Sequence, residues 1–145
     1  MASWVQHERS LTLRHGKLRV ACVADTHSKP HPNTHSLLRA QKVDAILHGG
    51  DIGDLAVLDQ LSAIAPLLAV RGNIDERAHD LPDGITIRLQ SADETVLTLL
   101  LMHIAVAGPR VRKEAAQLAH EIGARLIVCG HSHVPFIGHD KGLTV

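Results

Sequence analysis

Short apolar runs alternate with polar segments along this chain, and each run has the length of a strand. Leu18–Ala24, Val43–Leu47, Leu67–Val70 and Leu126–Cys129 read as buried strands bounded by turn residues. Between them, Asn33 is placed to cap a helix running to about Ala40. Asp54 is placed to cap a second helix from Leu55 to about Ala65, which stops before Pro66 as a proline requires. Further on, Ile85–Leu89 and Thr95–Met102 flank the polar stretch Gln90–Glu94 and predict an antiparallel pair. Helical spacing then covers Arg110 to about Ile122 and ends at Gly123.

The two ends of the chain predict hairpins. Ser10–Arg14 alternates, and His15-Gly16 supplies a turn, so an edge strand is expected to lead directly into Leu18–Ala24. Phe136–His139 and Leu143–Val145 read as a second hairpin around Asp140-Lys141-Gly142. Strand and helix alternate early while strands pair late, which predicts a mixed α/β sandwich with helices outside two packed sheets. With no internal repeat or linker, residues 1–145 are expected to form one domain in which 1–17 is an N-terminal extension.

Charge and composition narrow the function classes. Fifteen basic and fifteen acidic residues cancel, so no net field draws the protein to nucleic acid or to an anionic membrane. Trp4 and Phe136 are the only Trp, Tyr or Phe residues, which leaves little for stacking on bases and a core of Leu, Ile, Val and Ala. Neither nucleic acid nor a membrane is an expected partner. Cys22 and Cys129 each sit inside an apolar run and are expected to be buried, reduced thiols. The first seventeen residues have no apolar signal core, and a cytoplasmic protein is expected.

The polar residues that follow the apolar runs carry the chemistry. Asp25-Thr26-His27, Gly50-Asp51, Gly72-Asn73, His103 and Gly130-His131-Ser132-His133 together supply seven metal-binding side chains. They fall where parallel strands stop, the place at which ligands collect in open α/β sheets. In an extended segment residues i and i+2 share a side, so Asp25 with His27, and His131 with His133, are expected to converge. The small residues Gly49, Gly50, Gly72 and Gly130 leave room for ions.

In order and spacing, from roughly Leu18 to Val134, these segments resemble the calcineurin-like metallophosphoesterases, in particular their small single-domain phosphodiesterase branch. The resemblance implies a four-layer αββα sandwich of two mixed sheets flanked by helices. It also implies two divalent ions bridged by Asp51. Asp25, His27 and His133 would join Asp51 at one ion, and Asn73, His103 and His131 would join it at the other. A hydroxide bridging the ions would attack a small phosphate ester, with Asn73 and His131 orienting the phosphate beside Asp51. Manganese is the first expectation by analogy, and zinc, iron or nickel also suit this donor set.

Three positions depart from the family pattern. Ile74 stands where many members carry a histidine that protonates the leaving alkoxide, so esters with good leaving groups, and diesters over monoesters, are the expected substrates. Ile104 follows His103 where a glycine is common. Relatives continue past the C-terminal hairpin through another strand, so the resemblance implies a second sheet short of C-terminal strands.

Other residues carry weaker readings. His48 reads equally as a partner of the site or as a satisfied core histidine. Asp75 is expected to point away from the leaving group. Asp44 and Asp54 read as turn and cap residues, and Arg110, Arg112 and Lys113 as a solvated cluster. The alternative to an enzyme is a non-catalytic interaction scaffold, as in the retromer sorting subunit of this fold. Assembly into a homo-oligomer is left open by the sequence.

Overall fold

The computed structural model describes residues 3–145, so Met1 and Ala2 of the N-terminal extension lie outside the described residues. In chain order the elements are β1 (Gln6–Thr12), β2 (Val20–Val23), α1 (Thr34–Ala40), β3 (Ala45–His48), α2 (Ala56–Ser62), β4 (Leu67–Ala69) and β5 (Gly84–Ser91). They continue with β6 (Glu94–Met102), β7 (Val106–Ala107), β8 (Arg110–Val111), α3 (Lys113–Glu121), β9 (Leu126–Val128), β10 (His139–Asp140) and β11 (Leu143–Thr144).

Two sheets result. The β2-β3-β4 sheet is parallel throughout, with Val23 opposite His48 and His48 opposite Ala69. The larger sheet is mixed, in the order β1-β5-β6-β9-β11-β10, and includes the C-terminal hairpin through Thr144 opposite Leu126. Leu47 and Val70 face Ile85, Ile87, Leu99 and Leu101 between the sheets. On the outer side of the smaller sheet, Leu38 of α1 and Val57 and Leu61 of α2 cover Ile46 and Ala69. On the outer side of the larger sheet, Ala115, Ala116 and Ala119 of α3 cover Leu100, Ile127 and Leu143. Small alanines let α3 lie close to its sheet. The order of layers is the expected αββα sandwich.

Several local expectations need correction. The His15-Gly16 turn forms, with Arg14 and Lys17 exchanging hydrogen bonds of 2.7 and 3.0 Å, yet it joins no β1–β2 ladder. Strand β1 instead runs parallel to β5, with Gln6 opposite Gly84, and so belongs to the other sheet. Arg110 does not open the third helix. It pairs with Ala107 in a short β7–β8 hairpin whose corner is Gly108 at φ +58°, and α3 begins at Lys113. Asn33 holds the N-cap position of α1 without a side-chain cap bond, whereas Asp54 Oδ1 accepts from the Ala56 amide at 2.9 Å. Cys22 is exposed on β2, not buried, and both thiols are free.

This arrangement positions the polar segments. The loops after β2, β3 and β4 leave the same end of the parallel sheet, and those after β6 and β9, themselves parallel neighbours, leave one end of the other. All the expected ligands therefore lie on loops at strand C-termini.

Candidate metal centre

Backbone bonds stitch these loops together. The Asp25, His27 and Ser28 amides donate to the carbonyls of Gly50, Asp51 and Ile52 at 2.9, 3.0 and 2.8 Å. The Gly130 amide donates to His103 O at 3.0 Å, and the His131 amide donates to the Asp25 carboxylate at 3.0–3.1 Å. Loops that are distant in sequence are thus held in one cluster.

The side chains form two groups that share one member. Asp25, His27, Asp51 and His133 bring their ligand atoms within 4.8 Å of one another, and so do Asp51, His103 and His131. Asp51 Oδ2 lies 3.5 Å from His27 Nε2, while its Oδ1 lies 3.3 Å from His103 Nε2. His133 Nε2 stands 3.6 Å from Asp25 Oδ1. The His27 and His133 rings meet edge to face at 5.4 Å, as do His103 and His131 at 5.2 Å. Asn73 is exposed. Its turn reaches Asp51 through the Ile74 amide, which donates to Asp51 Oδ1 at 3.2 Å.

A divalent cation fits these donors on three grounds. His103 Nδ1–H donates to Gly49 O at 2.6 Å, because a carbonyl can only accept, and this leaves the Nε2 lone pair directed at Asp51. That Nε2 is buried without a hydrogen-bond partner although a carboxylate oxygen stands 3.3 Å away. A cation held between these two facing acceptors would satisfy both. Moreover Asp25, His27, Asp51, His131 and His133 have φ of 56°, 44°, 56°, 76° and 57°, the left-handed region, where each non-glycine residue costs about 1–3 kcal/mol. This corrects the extended geometry expected for the Asp25/His27 and His131/His133 pairs: they converge through left-handed turns. Gly50, at φ +95°, continues the same kind of backbone beside Asp51.

Residues 18–145 match the calcineurin-like phosphoesterase superfamily domain. The chain belongs to this superfamily. Among its relatives, a probable metallophosphoesterase of Methanocaldococcus jannaschii is 30% identical over 128 residues, covering 84% of this chain and 62% of that protein. One of Methanothermobacter thermautotrophicus is 30% identical over 96 residues, covering 66% and 53%. The chain therefore spans less than two thirds of the length of these relatives. Among solved structures, Vps29 of Chaetomium thermophilum superposes with a TM-score of 0.69 at 19% identity, covering 88% of this chain and 68% of that one. Vps29 of Entamoeba histolytica complexed with zinc gives 0.66 at 22%, covering 86% and 70%. At that identity the likeness is one of fold. The chain thus shares the superfamily's fold and brings together His and Asp donors that could hold a metal ion.

Two further residues support the donor cluster. His48 is fully buried; its Nδ1 accepts from the Gly50 amide at 3.1 Å and its Nε2–H donates to Thr26 Oγ1 at 3.1 Å. Thr26 in turn donates to Ile52 O at 2.9 Å. His48 is therefore satisfied and also ties the Asp25–His27 loop to the Asp51 loop. Its position directly before Gly49-Gly50-Asp51 was the available signal. The Asp75 carboxylate is engaged by backbone amides, described below, and these partners carry no sequence signature.

Burial lowers the His48 pKa from its ordinary 6.5 to about 4. Folded, metal-free protein then keeps His48 neutral between these values while the unfolded chain protonates it. Its stabilising contribution is complete above pH 6.5 and is lost as pH falls toward 4, to a total of about 3 kcal/mol. Urea midpoints of metal-stripped protein across that window should fall more steeply for wild type than for His48→Asn. Parallel curves would assign the loss to other groups.

Among the described residues, no helix is long and apolar enough to cross a membrane. An apolar cavity of about 800 Å³ opens beside Asp25 and His133, walled in part by Val106, Val128, Val134 and Phe136.

Proposed function

We propose that this chain is a binuclear metal-dependent phosphodiesterase acting on small phosphate esters. The observation that carries the reading is the placement of Asp51: each carboxylate oxygen faces a different histidine, and each histidine belongs to a separate group of donors. Asp25, His27 and His133 would hold one divalent ion and Asn73, His103 and His131 the other, with Asp51 bridging. Two such ions supply Lewis acidity and an acidified water. Manganese is the first choice, then zinc, iron or nickel.

The protein's own residues supply position and charge. Asp51, 5% exposed, is held at a fixed height by the Ile74 amide. The His103 ring is locked by Gly49, and the His131 backbone is carried on a loop bound to Asp25. Asn73, exposed beside the cluster, orients the phosphate with His131. Ile74 is half exposed at the point where a proton donor would act and can donate nothing from its side chain. The alcohol must leave with little help. Acting as one domain in the cytoplasm, the enzyme would favour aryl diesters over monoesters.

Metal-stripped protein should be inactive on a bis-aryl phosphodiester and regain activity with added Mn. Its kcat/KM for the diester should exceed that for the matching aryl monoester by about 10-fold or more. Equal or greater monoester turnover would overturn the diester preference. Two bound Mn without hydrolysis would favour the second reading, a non-catalytic scaffold. That reading draws on the Val134 and Ile137 side chains, 66% and 91% exposed beside the cavity, and on a Vps29 structure complexed with a cyclic peptide.

A further inference from the structure

Asp75 is a carboxylate with only 4% exposure, and backbone amides surround it. The Ile52 amide donates to its two oxygens at 3.0 and 3.2 Å, the Gly53 amide to Oδ1 at 3.1 Å and the Gly72 amide to Oδ2 at 2.9 Å. Ile52 and Gly53 directly follow Asp51, while Gly72 directly precedes Asn73. One side chain therefore clamps the loop after β3 to the loop after β4. The Ile74 amide, bonded to Asp51 Oδ1, adds a link between the same loops. Such converging amides form an anion nest, and removing its occupant would leave buried donors without acceptors.

We propose that Asp75 is a positioning residue that sets the spacing between Asp51 and Asn73. It thereby controls affinity at the cation position served by Asn73, His103 and His131. The inference rests on the dimetal reading above. Loss of charge alone would weaken both cation positions, whereas loss of the clamp weakens the one that depends on Asn73. Asp75→Asn separates the two effects, since it keeps the size of the side chain but turns one acceptor oxygen into an amino group facing amide donors.

The test is calorimetric titration of Mn into the metal-stripped full chain, with hydrogen exchange of the metal-free protein as a second readout. Asp75→Asn should weaken one of two binding steps by at least ~10-fold and leave the other within about 2-fold. Asn73→Ala should weaken the same step, and the double variant should stay within about 2-fold of the weaker single variant. In metal-free Asp75→Asn, the Ile52, Gly53 and Gly72 amides should lose protection while Leu47 and Leu100 in the strands keep theirs. Equal weakening of both steps, no weakening, or multiplying single effects would overturn the proposal. Should the variant not fold, wild-type exchange still decides: Ile52, Gly53 and Gly72 amides exchanging as fast as exposed loops would overturn the clamp. Wild type binding fewer than two Mn would overturn the dimetal reading itself, whereas two Mn with an unaffected Asp75→Asn variant would overturn only the role of Asp75.

Discussion

Asp51→Asn is expected to lower kcat/KM for a bis-aryl phosphodiester by at least ~10³-fold, which corresponds to about 4 kcal/mol of lost transition-state stabilisation. The substitution preserves shape but removes the charge and turns one of two ligand oxygens into a donor. Either Oδ1, which faces His103, or Oδ2, which faces His27, then opposes a cation instead of binding it. The same change should not harm the metal-free fold. A buried carboxylate set against the His103 lone pair is costly without its cation, and the neutral amide relieves that cost. Melting of metal-free Asp51→Asn should therefore match or exceed wild type, while the rise in melting temperature on adding Mn, a linkage effect of binding to the native state, should be lost. A variant that keeps a wild-type Mn response, or a tenth of wild-type activity, would remove Asp51 from the bridging position.

The opposite signs of those two effects show what could be read from the sequence alone. Apolar runs ending in Asp, Asn or His were enough to locate the centre, because a parallel strand places its next residues at a predictable end of the sheet. The conformation there was not legible. Asp25 and His27 at positive φ look, in sequence, like any alternating pair, and only the surrounding loop bonds hold them in left-handed turns. The six expected ligands that are His or Asp gather within the two donor groups, and the Asn73 turn reaches Asp51 through the Ile74 amide.

Elements with long local patterns were legible for the same kind of reason. β5 and β6 carry their own turn, so the antiparallel pair follows from adjacent residues, while the partner of β1 lies beyond most of a domain and leaves no local trace. The β7–β8 hairpin has two residues per strand, too few for any period to register. Asp75 eluded sequence reasoning because its partners are amides, which every non-proline residue has. Cys22 looked buried because its run is apolar, but β2 is the edge of its sheet.

Gly72→Ala should be among the most damaging single-methyl changes near the centre. Gly72 does not have a positive φ, so the argument is one of space. A Cβ there would overlap the Asp51 amide nitrogen and Oδ1 and stand 2.9 Å from Asp51 Cα. The amide nitrogen and Cα are backbone atoms of a loop already fixed by the Asp75 carboxylate, and they cannot swing aside as a flexible side-chain tip could. The expected loss of stability is about 3 kcal/mol, at the upper end for an added methyl. Gly108→Ala is the matched control: at φ +58° with nothing within 4 Å, it should cost only the ~1–2 kcal/mol of left-handed backbone and leave activity intact. Near the centre the methyl also moves Asp51 relative to His103, and a displacement of about 1 Å is expected to lower diester turnover ~100-fold. Denaturation midpoints of the two variants, measured with their Mn-dependent kcat/KM, separate these effects. Equal stability loss with full activity in both would mean that the loops carrying Asp51 and Asn73 can part without harm, and that their close approach is not what organises the site.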